Sequence, residues 1–177
     1  MASVVLHGTG FEYSEDGSGE PLVFVHGSAS DYRTWQGQHA AFARHFRTIV
    51  YSRRYHWPNE PIPAGVDYSM AGHVEDLKAL LHLLDAAPAH LVGHSYAELL
   101  GSGFSALRAD QVRSVQAPTL LVTGARSVDL FHRLTDRLDA LLLHAERVEI
   151  PNALHSVHED NASAYNAAVL GFLARHR

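Results

Sequence analysis

Apolar and polar positions alternate over Ala2–Leu6 and again over residues 10–13, on either side of His7-Gly8-Thr9-Gly10. A period of two is the mark of a half-buried strand, and two such pieces joined through glycine predict a hairpin. Residues 14–20 are polar and glycine-rich, which predicts a surface loop. Pro21–Val25 and residues 48–51 are unbroken apolar runs, the pattern of strands covered on both faces. Between them Trp35, Phe42 and Phe46, with alanines interspersed, predict a helix over about residues 39–45. The clearest helical period lies over residues 70–84, where Val74, Leu77, Leu80, Leu81 and Leu84 recur on one face and Ser69 stands ready as N-cap. Pro88 then introduces a strand over residues 89–93. Pro118 introduces another over residues 119–123, ended by Gly124. A helix over 130–143, a strand over 147–150 and a helix over 162–177 complete the chain. Strands alternating with helices predict the α/β class, with a mostly parallel sheet flanked by helices.

Composition narrows the picture. The 177 residues suffice for one domain with a true core. A net charge of −5 argues against nucleic acid or an anionic membrane as partner, and leaves a small molecule as the expected one. There is no cysteine, so neither disulfides nor thiolate metal sites arise. A basic stretch followed by an apolar one is absent from residues 1–20, and no apolar run reaches the ~20 residues of a membrane span, so a cytoplasmic location is expected. Fourteen histidines are many, but their spacing builds no metal motif. His155 and His158 stand three apart without a third ligand, so neither metal nor cofactor is expected.

Three stretches carry candidate chemistry. Gly93-His94-Ser95-Tyr96-Ala97 follows an apolar strand and precedes Glu98-Leu99-Leu100, the apparent start of a helix. A small residue two before and two after a serine, between strand and helix, permits the sharp turn of a nucleophile elbow, where bulkier side chains would collide. His26-Gly27-Ser28-Ala29-Ser30 follows the buried strand Pro21–Val25. Backbone N–H groups in such a loop can point into a crevice as an oxyanion hole, Ser28 or Ala29 supplying one and Tyr96 the other. A plain strand-to-helix turn would also use a glycine there. Arg54 and Trp57 lie just past the strand over 48–51. With His26, Gly27, Ala29 and His94 they are candidates to line a substrate pocket, although a solvated loop would have the same composition.

These stretches, with Phe24-Val25-His26-Gly27, Leu120-Leu121-Val122-Thr123-Gly124 and a late histidine after the last strand, resemble the α/β-hydrolase superfamily, in particular small bacterial members with a Gly-His-Ser-Tyr elbow. The resemblance implies Ser95 as nucleophile and His155 as base, with an acid between them in chain order. His158 competes for the base role. Three residues after Gly124, where the family often has its aspartate, this chain has Ser127. Asp129 is the expected acid. An N-terminal helix charge is its alternative role, and Glu98 is an alternative partner.

The resemblance also implies a departure. Between Ala97 and Pro118 stand only 20 residues, including Gly101-Ser102-Gly103, where the family has a further strand and usually a cap. A shortened linker over 98–117 on a single cap-less domain is expected, with exposed apolar surface that could support a dimer. The expected activity is that of a serine hydrolase on small ester-like carbonyl substrates. Two alternatives stand beside it: a binding protein with an impaired triad, and a cofactor-free lyase of the hydroxynitrile-lyase type.

Overall fold

The computed structural model describes residues 1–66, 68–95 and 108–176. The chain gathers into two compact units, Met1–Ala97 and Glu98–Arg177.

In the first unit, β1 (Ala2–Leu6) and β2 (Thr9–Asp16) form the expected antiparallel hairpin, its turn held by His7 and Gly8 at positive φ. β2 runs on to Asp16, into residues whose polar composition suggested a loop, because Tyr13 to Asp16 pair with β4 (Arg47–Tyr51). β3 (Pro21–Val25) lies parallel to β4 on one side and to β5 (His90–Gly93) on the other. The strand order is β1-β2-β4-β3-β5, a mixed sheet with a parallel half.

Both faces of this sheet are covered, as the apolar runs required. On one side Val23, Ile49 and Tyr51 pack with Leu80 of α2 (Met70–Leu83) and with Leu6 and Phe11. On the other, Phe24 sits 4.9 Å from the Trp35 ring and 5.3 Å from the Phe42 ring. Ser69 caps α2 as expected, its hydroxyl accepting the Gly72 N–H at 3.3 Å. The helix expected over 39–45 begins earlier. Asp31 accepts the Arg33 N–H and starts a 3₁₀ turn over Tyr32–Trp35, which leads into α1 (Gln36–Phe42). A capping carboxylate ahead of the aromatic pattern sets that start.

In the second unit, α3 (Ala109–Arg113) precedes β6 (Thr119–Gly124), which pairs in parallel with β7 (Ala145–Ile150). Between them runs α4 (Asp129–Asp139), four residues shorter at its end than its apolar pattern suggested. Leu141 is buried beyond it in a turn, while Leu143 is exposed. α5 (Val157–Asp160) and α6 (Ala162–Arg175) close the unit, with Tyr165, Val169, Phe172 and Leu173 of α6 buried. Gly124 is sterically obligatory: a Cβ there would fall 2.1 Å from the Leu154 carbonyl oxygen and 2.5 Å from that of Ala153. Next to it, the Ala125 N–H donates to the Ile150 carbonyl and the Arg126 N–H to that of Ala153, both at 2.9 Å. The loop after β6 and the loop after β7 are therefore laced together.

No described helix is long and apolar enough to cross a membrane.

Candidate active site

The site is built from strand ends. Val25 of β3 is in register with Gly93 of β5, so the glycine loop and the elbow leave the sheet side by side. The His94 N–H donates to the Val25 carbonyl at 3.1 Å and prolongs the ladder by one rung. Ser95 follows with φ of +29°, a left-handed conformation that non-glycine residues adopt at a cost of order 1–3 kcal/mol. Gly27 permits the approach: a Cβ on it would lie 2.9 Å from the Ser95 carbonyl oxygen and 3.2 Å from that of His94. Ser95 thus stands at the end of a parallel strand with a left-handed backbone, close against the glycine loop. Tyr96, the second expected oxyanion donor, lies outside the described residues, as do Ala97 and Glu98.

The direction of the first donor follows from its neighbour. The Gly27 carbonyl faces His26 Nδ1 at 2.7 Å and accepts from the Ser30 hydroxyl at 3.3 Å and the Ser30 N–H at 3.4 Å. In a trans peptide the next N–H points the opposite way, so the Ser28 N–H is turned away from this cluster. Ser28 is half-buried, whereas Ala29 is exposed. The Ser28 carbonyl in turn faces His56 Nε2 at 3.0 Å.

His26 is placed differently from expectation. Only 1% of it is exposed, and it braces the loops instead of lining a pocket. Its Nε2 accepts the Arg53 N–H at 2.9 Å, which requires that nitrogen to be unprotonated and leaves Nδ1–H to donate to Gly27. Burial, reinforced by the Arg53 charge, lowers its pKa to about 3. His73 on α2 is lowered to about 3 by burial and by the same cation. For both, the folded value lies below the ordinary 6.5, so the unfolded chain takes up the proton first. The stability that they contribute is complete above pH 6.5 and is lost as the pH falls toward 3. For His26 alone the loss between pH 6.5 and 5 is about 2 kcal/mol. Urea unfolding at pH 7.5 and at pH 5 measures it, and equal midpoints would contradict this assignment.

Arg54, expected in the pocket, is also a brace. Its guanidinium makes a two-pronged ion pair with Asp76 of α2, whose side chain is 2% exposed. Two further residues of this loop carried no signal in the sequence. The Ser52 hydroxyl donates to the Trp57 carbonyl at 2.6 Å, and the Asn59 amide donates to the Ser52 and Arg53 carbonyls at 2.8 and 2.9 Å. Trp57, a candidate pocket residue in the sequence, is exposed, with the Arg33 guanidinium 4.0 Å above its ring and Tyr32 stacked on it. The His94 ring stands edge-on to Trp35 at 6.3 Å.

In the second unit, His155 lies on the loop after β7, half-buried, with its ring stacked on Phe131 of α4 at 3.7 Å between centroids. His158 is 1% exposed and packs near Tyr165, a poor position for exchanging protons with a substrate. The loop bearing His155 is held from α5, where the Asp160 carboxylate accepts the Leu154 N–H at 2.7 Å. Asp129 opens α4, two residues before Phe131, and accepts from Arg133 Nε at 2.6 Å with its side chain 75% exposed. Among the described residues no three His, Asp or Glu side chains group so as to hold a metal ion.

With this geometry established, comparison with known proteins identifies the family. Residues 20–115 match the family model for the alpha/beta hydrolase fold. The chain belongs to that family. A curated relative, an (E)-2-((N-methylformamido)methylene)succinate hydrolase of Acinetobacter baylyi, is 32% identical over 101 residues, 57% of this chain and 38% of the relative. A cis-3-alkyl-4-alkyloxetan-2-one decarboxylase of Shewanella oneidensis is 28% identical over 121 residues, 67% of this chain and 37% of that one. The chain thus spans less than two-fifths of the length of these curated relatives. Among solved structures, a meta-cleavage product hydrolase from Pseudomonas fluorescens superposes with a TM-score of 0.87 at 15% identity, covering 100% of this chain and 98% of that one. At that identity the likeness speaks for the α/β-hydrolase fold.

Proposed function

We propose that this chain is a serine hydrolase of small ester-like carbonyl compounds. Ser95 is the nucleophile, His155 the base, and the Ser28 N–H one donor of the oxyanion hole. The observation that carries the reading is Ser95 at φ of +29°, directly past β5 and against Gly27. A backbone of this kind at the end of a parallel strand suits a serine whose hydroxyl is to be presented. The hydrolase relatives support the class of chemistry. In the proposed step Ser95 Oγ bonds to the carbonyl carbon while its proton passes to His155. The carbonyl oxygen takes up the negative charge and is met by the Ser28 N–H, which the Gly27 carbonyl cluster holds in direction. His155 then returns the proton to the departing alkoxide, and water releases the acyl group by the same route.

Asp129 remains the proposed acid, at the N-terminus of the helix that also carries Phe131. Its ion pair with Arg133 favours a second reading, a binding protein of this fold with an impaired triad. A short linker over 98–117, without a cap, belongs to either reading, as does self-association through apolar surface such as Leu91 on β5, which is 56% exposed. Reaction with a fluorophosphonate probe separates the two readings. Modification of Ser95, located by peptide mapping, is the expected result. A folded protein that leaves Ser95 unmodified would overturn the hydrolase reading in favour of the second.

A further inference from the structure

The stacking of Phe131 on His155 has the geometry of a tuned base. The two rings lie 3.7 Å apart between centroids and are inclined by only 9°, so the imidazole presents a full face to the phenyl π cloud. Phe131 is half-buried on α4, and none of the residues of that helix is fully buried. A phenyl face carries negative charge density and attracts a cation within about 6 Å of its centroid. Resting on the reading of His155 as base, we propose that Phe131 is a positioning residue, which fixes the plane of the imidazole and favours its protonated form.

Several charged groups on the surrounding elements have partners of their own. On α4, Asp129 pairs with Arg133, and His132 faces Glu149 of β7 at 3.8 Å. On α5, Asp160 holds the Leu154 N–H, and His158 is buried near Tyr165. Glu159 on α5 and Arg126 after β6 are exposed, the latter tied by its own N–H to the Ala153 carbonyl. The face of His155 toward α4 is occupied by the phenyl ring. When the imidazole takes the serine proton, the cation so formed lies over a surface that stabilises it. The base is thereby a stronger proton acceptor than the same histidine over an aliphatic side chain.

The test is an NMR titration of the His155 ring in the full-length chain, with its resonances identified by their loss in His155→Gln. Phe131→Leu keeps an apolar neighbour and removes the π face, so the His155 midpoint is expected to fall by about 0.5–1 pH unit. Phe131→Tyr restores the wild-type midpoint. Pentafluorophenylalanine at position 131 keeps the shape of the ring and reverses its face charge, so it is expected to lower the midpoint like leucine and decides the matter if Phe131→Leu fails to fold. The acid limb of the kcat/KM profile moves in the same direction. A midpoint unchanged by both leucine and pentafluorophenylalanine overturns the inference. If Ser95→Ala leaves turnover intact, the role of His155 as base falls, whereas the titration still decides whether the stack favours its cation.

Discussion

Ser95→Ala is expected to lower kcat/KM for a short-chain ester by at least about 10³-fold, because in the proposed mechanism the nucleophile and its base act as a unit. The same coupling gives a sharper expectation. His155→Ala should cost a comparable factor, and the double variant should be no slower than the worse single one, since neither residue does its work without the other. With 14 histidines in the chain, free imidazoles hydrolyse strongly activated esters on their own. The comparison therefore needs a less activated ester, or a rate corrected with the double variant. His158→Ala should leave turnover in place wherever the protein still folds. Additive losses for Ser95 and His155 would show that they do not share one reaction, and an active Ser95→Ala would remove the serine from the chemistry altogether.

The second large effect lies away from the serine. Asp76→Ala is expected to destabilise the protein by about 3–5 kcal/mol, because it strands the Arg54 guanidinium, whose side chain is only 15% exposed, without its counter-charge. A buried pair is costly to break yet contributes little beyond what apolar residues of the same volume would supply. Arg54→Met combined with Asp76→Leu should therefore recover most of the loss, and urea midpoints of the wild type and the two variants measure it. The recovered protein should still hydrolyse esters more slowly than the wild type. Arg54 adjoins Arg53, whose N–H is the donor that His26 needs to hold the Gly27–Ser28 peptide in direction. A single variant as stable as the wild type would mean that the guanidinium finds another partner.

Much of the frame could be read from the chain because its signals are local. Unbroken apolar runs announced β3 and the inner part of β4, the heptad-like leucines announced α2, and Ser69 announced its cap. The glycine loop after β3 was legible because tight turns restrict residue type at fixed offsets. What escaped were relations between segments distant in sequence. His26 and Arg54 have the composition of pocket residues and serve as braces, since their partners Arg53 and Asp76 stand 27 and 22 positions away. Asn59 binds β2 through the Glu12 N–H, 47 positions away, and nothing nearby announces it. The strand register that extended β2 to Asp16 is likewise set by β4 and not by its own polar residues. The Phe131 stack depends on where α4 meets the loop after β7, which no spacing along the chain encodes.

Gly27 and Gly124 make the tolerance of this protein to change a misleading guide to its chemistry. Each admits a carbonyl oxygen into the space that a side chain would fill, Gly27 beneath the serine and Gly124 beneath the loop that carries His155. In a saturation screen for ester hydrolysis, both would score as inviolable as the proposed nucleophile Ser95, simply because a Cβ at either would collide with backbone. A list of intolerant positions would mix reagents with the voids that keep them in place. Only a measurement separating folded protein from turnover would tell them apart.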